Sequence, residues 1–180
     1  MTRYVAIIRA MNVGGKNLVK MDRLREMFEE CGYSDVRTYI QSGNVVFTAK
    51  HAPARCVAAI ERALTIEMGK PVAAQIRSAA EMAKIVAANP YARRKGLNPA
   101  LLAVSFLSEP LGAAQIKALR SVKSGDDTFV ARGNELYIYC PDGYGRSKLA
   151  IAIDRVLTKT TTSRNWNTVT KLCEMSMLPN

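Results

Sequence analysis

The sequence predicts an α+β protein made of two β-α-β-β-α-β units in tandem, with an additional connecting helix and a C-terminal helix. Three observations predict it. Short apolar, β-branched runs and amphipathic runs follow one another in the same order twice. Each half has a hairpin turn with a Gly-Asn pair, Gly43-Asn44 and Gly133-Asn134. A basic segment bracketed by two Asn-Pro pairs, from Asn89-Pro90 to Asn98-Pro99, separates the halves. This order is that of the split unit of ferredoxin-like folds.

Tyr4 to Ile8 is apolar on both alternating faces, which predicts a strand covered on both sides. Met21, Leu24, Phe28 and Cys31 then recur at helical spacing, and Gly32 stands where the helix ends. Val36 to Ile40 and Val45 to Thr48 read as strands joined by Gln41-Ser42-Gly43-Asn44, whose glycine supplies the positive φ of a tight hairpin. Val57, Ile60 and Leu64 mark a helix from Ala54 to Met68, closed by Gly69-Lys70-Pro71, and Val72 to Arg77 is the fourth strand. A connecting helix, Ala79 to Ala88, completes a first domain over residues 1–90, and residues 91–99 form a linker.

The second domain, residues 100–180, repeats the plan. Leu101 to Leu107 is a strand, Ala113 to Val122 a helix, and Thr128 to Arg132 with Glu135 to Tyr139 a hairpin. Ser147 to Leu157 is a helix, Lys159 to Thr162 a short strand, and Trp166 to Met177 a closing helix with Trp166, Val169, Leu172 and Cys173 on one face.

At 180 residues and 48% apolar composition the chain buries a substantial core. Its net charge of +11 is spread evenly, with 13 basic and 8 acidic residues in Met1–Pro90 and 13 and 7 in Tyr91–Asn180. Such a field favours anionic partners, nucleic acid or small anions, although solubility alone accounts for it equally well. Cys31, Cys56, Cys140 and Cys173 form no Cys-x-x-Cys pair and read as buried free thiols of a reducing compartment. Neither a charged leader followed by an apolar stretch nor a membrane-length apolar run is present, so the expectation is a cytoplasmic protein without a membrane partner.

The topology gathers the polar residues into two clusters. In a β-α-β-β-α-β unit the first two strands run parallel, so the loop after the first and the hairpin after the second emerge at one edge. That edge collects Arg9, Asn12, Lys16, Gln41, Ser42 and Asn44 with the backbone amides of Gly14 and Gly15. Free N–H groups beside a helix start, with nearby cations, hold phosphate or carboxylate. The pattern is neither a Walker A loop nor a dinucleotide fingerprint. An ordinary βα connection with glycine turns is the alternative.

In the second unit the segments after the third and fourth strands share the opposite edge, gathering Tyr144, Arg146, Ser147, Lys148, Arg164, Asn165 and Trp166. Both segments open a helix and favour an anion. The alternative is capping, by Asp142 or Ser147 on one helix and Ser163 or Asn165 on the other, with Trp166 as a core anchor.

A single histidine, His51, excludes His-dependent triads and multi-His metal sites, and no acidic cluster has the spacing of a metal nuclease or a glycosidase pair. No metal and no cofactor are expected. Tyr144 and Lys148 are the candidates for proton chemistry, with Lys16 and Cys140 behind them. The aromatic strand signature of RNA-recognition domains is missing, although Tyr137 and Tyr139 share a face of one strand.

Four stretches in this order, Arg9 to Asn17, Tyr39 to Val45, Pro141 to Leu149 and Thr162 to Thr168, resemble a bacterial family known as domain of unknown function 1697. The resemblance spans almost the whole chain and implies two ferredoxin-like halves and a cytosolic protein, with no activity to carry over. The chain departs from the family pattern at Ala10-Met11, where Gly-Ile is usual, and at Ala150-Ile151, where Thr-Asn is common. The first change stiffens the loop, and the second removes polar groups beside the second cluster.

The expectation is a binding protein for a phosphate-bearing ligand, nucleotide or nucleic acid. Arg9, Lys16, Arg146, Lys148 and Arg164 would supply charge. Two other expectations stand beside it: an enzyme acting on a small phosphorylated or carboxylated substrate with Tyr144 or Lys148 as proton donor, and a structural or protein-interaction module.

Overall fold

Each half of the chain is organised by one apolar strand. The computed structural model describes residues 1–11, 19–94, 96–157 and 161–178. It is a mixed α+β structure with two four-stranded antiparallel sheets and, among the described residues, six α-helices. The chain divides into two units, Met1–Val86 with Thr170–Asn180, and Ala87–Val169. Residues 91–99 thus fall in the second unit and the residues from Thr170 onward in the first.

In the first unit the order is β1 (Thr2–Ile8), α1 (Met21–Glu30), β2 (Ser34–Tyr39), β3 (Asn44–Ala49), α2 (Pro53–Met68), β4 (Ala74–Ser78) and α3 (Ala79–Ala87). The sheet runs β2-β3-β1-β4, so β1 is internal and antiparallel to both neighbours, with Val5 opposite Val46 and Arg77. Tyr4, Ala6 and Ile8 pack into a core with Leu24 and Phe28 of α1, Phe47 of β3 and Ile60 and Leu64 of α2. The Phe47 ring lies 5.2 Å from Phe28 and 4.8 Å from Tyr33. Each such large apolar side chain contributes about 1.5–3 kcal/mol on burial. Val5 and Ile7, which alternate with the core residues, are also fully buried, as expected of a strand apolar on both faces.

The second unit opens on a short 3-10 turn, Pro99–Leu101, capped by the Asn98 side chain. There follow β5 (Leu102–Phe106), α4 (Ala113–Arg120), β6 (Thr128–Arg132), β7 (Glu135–Tyr139), a 3-10 turn at Tyr144–Arg146, α5 (Lys148–Val156), β8 (Thr162–Asn165) and α6 (Trp166–Met177), of which only the first residues, to Val169, belong to this unit. The order β6-β7-β5-β8 repeats that of the first sheet. Register repeats as well. Val104 of β5 lies between Tyr137 and Arg164 as Val5 lies between Val46 and Arg77. Both arginines donate from Nη1 to the carbonyl of the residue before, Arg77 to Ile76 at 2.9 Å and Arg164 to Ser163 at 2.8 Å.

Of the expected strand Lys159 to Thr162, residues 159 and 160 lie outside the described residues. The described strand runs over Thr162–Asn165, so Arg164 belongs to a strand rather than to the loop behind it. The β-branched threonines drew the expectation upstream, whereas backbone pairing with β5 decides the element and tolerates an arginine. The fourth strand is displaced in the same sense, to Ala74–Ser78.

The edge at the end of β1 carries unusual backbone. Gly43 has φ +73°, and a Cβ placed on it would stand 2.9 Å from Met11 Cβ and 3.0 Å from Ile8 Cβ. The Ile8 N–H donates to the Gly43 carbonyl at 2.8 Å. Two residues with side chains also hold left-handed φ here, Ala10 at +50° and the β-branched Ile40 at +47°.

Two tests follow from this edge and from the start of α3. Gly43→Ala combines a disfavoured φ with overpacking and should cost about 2–4 kcal/mol, whereas Ala10→Gly relieves a left-handed alanine and should gain about 1 kcal/mol. Denaturant midpoints of the two variants should move in opposite directions.

At the start of α3, Ser78 and Glu81 cap reciprocally. The Ser78 N–H and hydroxyl each donate to Glu81 Oε2 at 2.7 Å, and the Glu81 N–H donates to Ser78 Oγ at 3.2 Å. Burial alone would raise the Glu81 carboxyl, but the bonds from Ser78 outweigh it and hold the group below its usual value. A lowered folded value means that the contribution is complete above the unfolded value, about 4.3, and is lost as pH falls through the folded one. Ser78→Ala should cost about 1 kcal/mol near neutrality, and its difference from wild type should shrink on acidification below about pH 4.

Candidate functional site

The first polar cluster forms in part. The chain after β1 and the hairpin after β2 meet at one edge through the Ile8–Gly43 bond and the packing of Gly43 against Met11. Arg9 is half-buried there, and its N–H donates to the Ala73 carbonyl at 2.9 Å. Gln41 is exposed and Ser42 half-buried. Asn44 is fully buried, and its Nδ2 donates to the Tyr39 carbonyl and to Ser42 Oγ, so it holds the hairpin in shape. Asn12, Gly14, Gly15 and Lys16 lie outside the described residues. Ala10 holds φ +50°, a conformation that glycine adopts without steric cost.

The second cluster separates into two groups. Arg146, Ser147 and Lys148 line a pocket of about 190 Å³ whose other walls are Lys123, Ser124, Gly125 and Asp127 from the α4–β6 loop, with Asp142 and Gly143. Three cationic side chains and two carboxylates thus share one concavity. Lys123, Arg146, Lys148 and Asp142 are exposed, Asp127 is half-buried, and Ser147 is buried. Ser147 joins the walls. Its hydroxyl donates to Asp127 Oδ2 at 2.7 Å and accepts from the Ala150 N–H at 2.9 Å, capping α5. The N-terminus of α5 is therefore served from within the protein. Below it, burial pushes the Cys140 thiol up to about 11, which keeps it protonated and a poor nucleophile at neutral pH.

The other group lies against β8. The Tyr144 hydroxyl donates to Ser163 Oγ at 3.1 Å, and Ser163 Oγ is 2.6 Å from Ser105 Oγ on the paired strand β5. Burial raises the Tyr144 phenol. Tyr144 is thus engaged with the sheet and does not line the pocket, whereas Lys148 does. Arg164 donates to Thr162 Oγ1 and to the Ser163 carbonyl, and burial pushes its guanidinium down. Asn165 caps α6, accepting from the Thr168 N–H at 2.8 Å, and Trp166 is half-buried at the start of that helix. Neither these two nor Arg164 lines the pocket.

Residues absent from the sequence-derived cluster also line the pocket, above all the charged Lys123, Asp127 and Asp142, of which the sequence offered Asp142 only as a helix cap. Topology contained the signal. β6 is antiparallel to β7 with Thr128 opposite Tyr139, so the loop entering β6 lies at the same edge as the segment leaving β7. Only segments that follow strands entered the sequence argument. Tyr137 and Tyr139 are buried, and Arg94 lies over the Tyr139 ring at 5.2 Å. That arrangement offers no open stacking face for bases.

Among the described residues no group of three or more His, Cys, Asp or Glu could hold a metal ion. No helix there is long and apolar enough to cross a membrane. All four cysteines are free, Cys56 and Cys140 buried and Cys31 and Cys173 half-buried.

No curated protein matches the sequence. Among solved structures the chain is similar to conserved bacterial protein SP0830 from Streptococcus pneumoniae, with 25% sequence identity and a TM-score of 0.78 over 97% of this chain and 98% of that one. A family model matches residues 1–137, most of the chain and all of the first unit's strands. The chain therefore belongs to the family described as protein of unknown function DUF1697.

Proposed function

We propose that this protein is a cytoplasmic binding protein for a phosphate-bearing ligand, held in the second unit by Lys123, Arg146 and Lys148. The observation that carries the reading is the pocket of about 190 Å³ that these three cations line, Lys123 from the α4–β6 loop, Arg146 from the 3-10 turn and Lys148 from the start of α5. Cations around a concavity hold an anion more strongly than the same charges spread over a flat surface, because the low-dielectric walls focus their field. The Ser147–Asp127 bond supports it by joining the two segments that carry the cations, so that these segments are held together before a ligand arrives. The net charge of +11 adds long-range attraction for the same class.

On this reading both units are ferredoxin-like modules descended from one duplicated β-α-β-β-α-β segment. Identical strand order and the matching Val5–Arg77 and Val104–Arg164 registers support that origin. A cytoplasmic setting fits four cysteines that remain free thiols.

The test is calorimetric titration of phosphomonoesters into the wild-type chain and into the double variant Lys123→Ala, Arg146→Ala. Loss of two cations should lower affinity about tenfold or more and flatten its dependence on salt. Unchanged affinity in the double variant would remove the pocket from consideration. Both side chains are exposed, so the melting temperature should hold within about 2 °C.

A further inference from the structure

The pocket that carries the proposed phosphate site is not uniformly basic. Asp142 and Asp127 line it together with Lys123, Arg146 and Lys148. A pocket meant for a bare phosphate, or for the repeating phosphates of a nucleic acid, gains nothing from two carboxylates, which repel a second negative charge brought near them. Carboxylates beside a phosphate site have a different use. They accept hydrogen bonds from hydroxyl groups and reject analogues that lack them. Each carboxylate has two oxygens and about four acceptor positions. Ser147 takes one oxygen of Asp127. Asp142 is exposed on the loop between β7 and the 3-10 turn, a position from which a ligand's hydroxyls are reached without displacing core structure.

Size points the same way. About 190 Å³ is below the usual range for pockets that enclose a drug-sized ligand, roughly 300–1,000 Å³. It accommodates a phosphate with a short carbon skeleton.

Resting on the phosphate reading above, we infer that the pocket selects a small phosphomonoester bearing neighbouring hydroxyls. The phosphate lies against Lys123, Arg146 and Lys148, and the hydroxyls donate to Asp142 and Asp127. A sugar phosphate and the ribose phosphate of a mononucleotide share this chemistry. Extended nucleic acid does not fit, because a second phosphate would meet the carboxylates.

Four probes separate the outcomes when titrated into the full chain and into Asp142→Asn: ribose 5-phosphate, methyl phosphate, adenosine monophosphate and a single-stranded oligonucleotide. In the wild type, ribose 5-phosphate should bind about tenfold more tightly than methyl phosphate. Asp142→Asn should narrow that ratio to about twofold while methyl phosphate binds at least as well as before, because a repulsive charge is gone and the phosphate contacts remain. Adenosine monophosphate binding as well as ribose 5-phosphate would identify the source as a nucleotide, and its exclusion a sugar phosphate; both support the inference.

Equal wild-type affinities for methyl phosphate and ribose 5-phosphate would overturn the hydroxyl selection alone, as would a ratio that Asp142→Asn leaves untouched. An oligonucleotide binding more tightly than every monoester would overturn it too. If no monoester binds at all, the phosphate reading falls with it. Asp142 is exposed, so a retained melting temperature confirms that the variant is folded.

Discussion

β1 and β5 hold the inner positions of their sheets and pair antiparallel on both sides. Their backbone groups are consumed by neighbours along the ladders, and slipping by one residue would turn the face carrying Tyr4, Ala6 and Ile8 away from the helices. Register is therefore pinned by burial. Once it is pinned, the chain ends that meet at each sheet edge are pinned too. The end of β1 must lie beside the turn before β3, which the Ile8–Gly43 bond realises. The end of β7 must lie beside the entry to β6, which brings Asp127 to Ser147.

The two units use that shared geometry differently. At the end of β1 the backbone is crowded, with a glycine packed against Met11 and Ile8 and with Ala10 and Ile40 in left-handed conformations. Each such side-chain-bearing residue costs on the order of 1–3 kcal/mol and persists only where the surroundings enforce it. In the second unit the corresponding edge closes through the Leu107 N–H, which donates to the Asn134 carbonyl at 2.8 Å as Ile8 does to Gly43, and the charged pocket sits at the opposite edge. Identical strand order gives both units the same pairs of edges, and in the second unit the charged pocket stands at one of them.

Within that pocket the division of labour follows from burial. Ser147 is buried and spends both hydrogen-bonding directions on the protein, capping α5 and holding Asp127. Lys123, Arg146, Lys148 and Asp142 are exposed and keep their charged ends in solvent. Structural duties thus fall on the neutral hydroxyl, whose burial costs little once bonded, while the charges remain hydrated until a ligand replaces the water. Tyr144, a neighbour in sequence, is turned toward Ser163 and Ser105 and belongs to the hydroxyl network of the sheet.

Local pattern was enough to determine the element order, both hairpins and the α+β class, because alternation and helical spacing in runs such as Tyr4 to Ile8 and Met21 to Cys31 report which faces are buried. The hairpin strands Thr128–Arg132 and Glu135–Tyr139 and the closing helix Trp166–Met177 were legible to the residue. Arg146, Ser147 and Lys148 are consecutive, so their nearness follows from the sequence itself. Pairing partners decided the rest. β8 extends through Arg164 because β5 offers hydrogen bonds there, whatever the strand preference of arginine. Lys123 and Asp127 join the pocket, and Arg164, Asn165 and Trp166 leave it, because which side chains share a concavity depends on three-dimensional packing between loops that no local periodicity encodes.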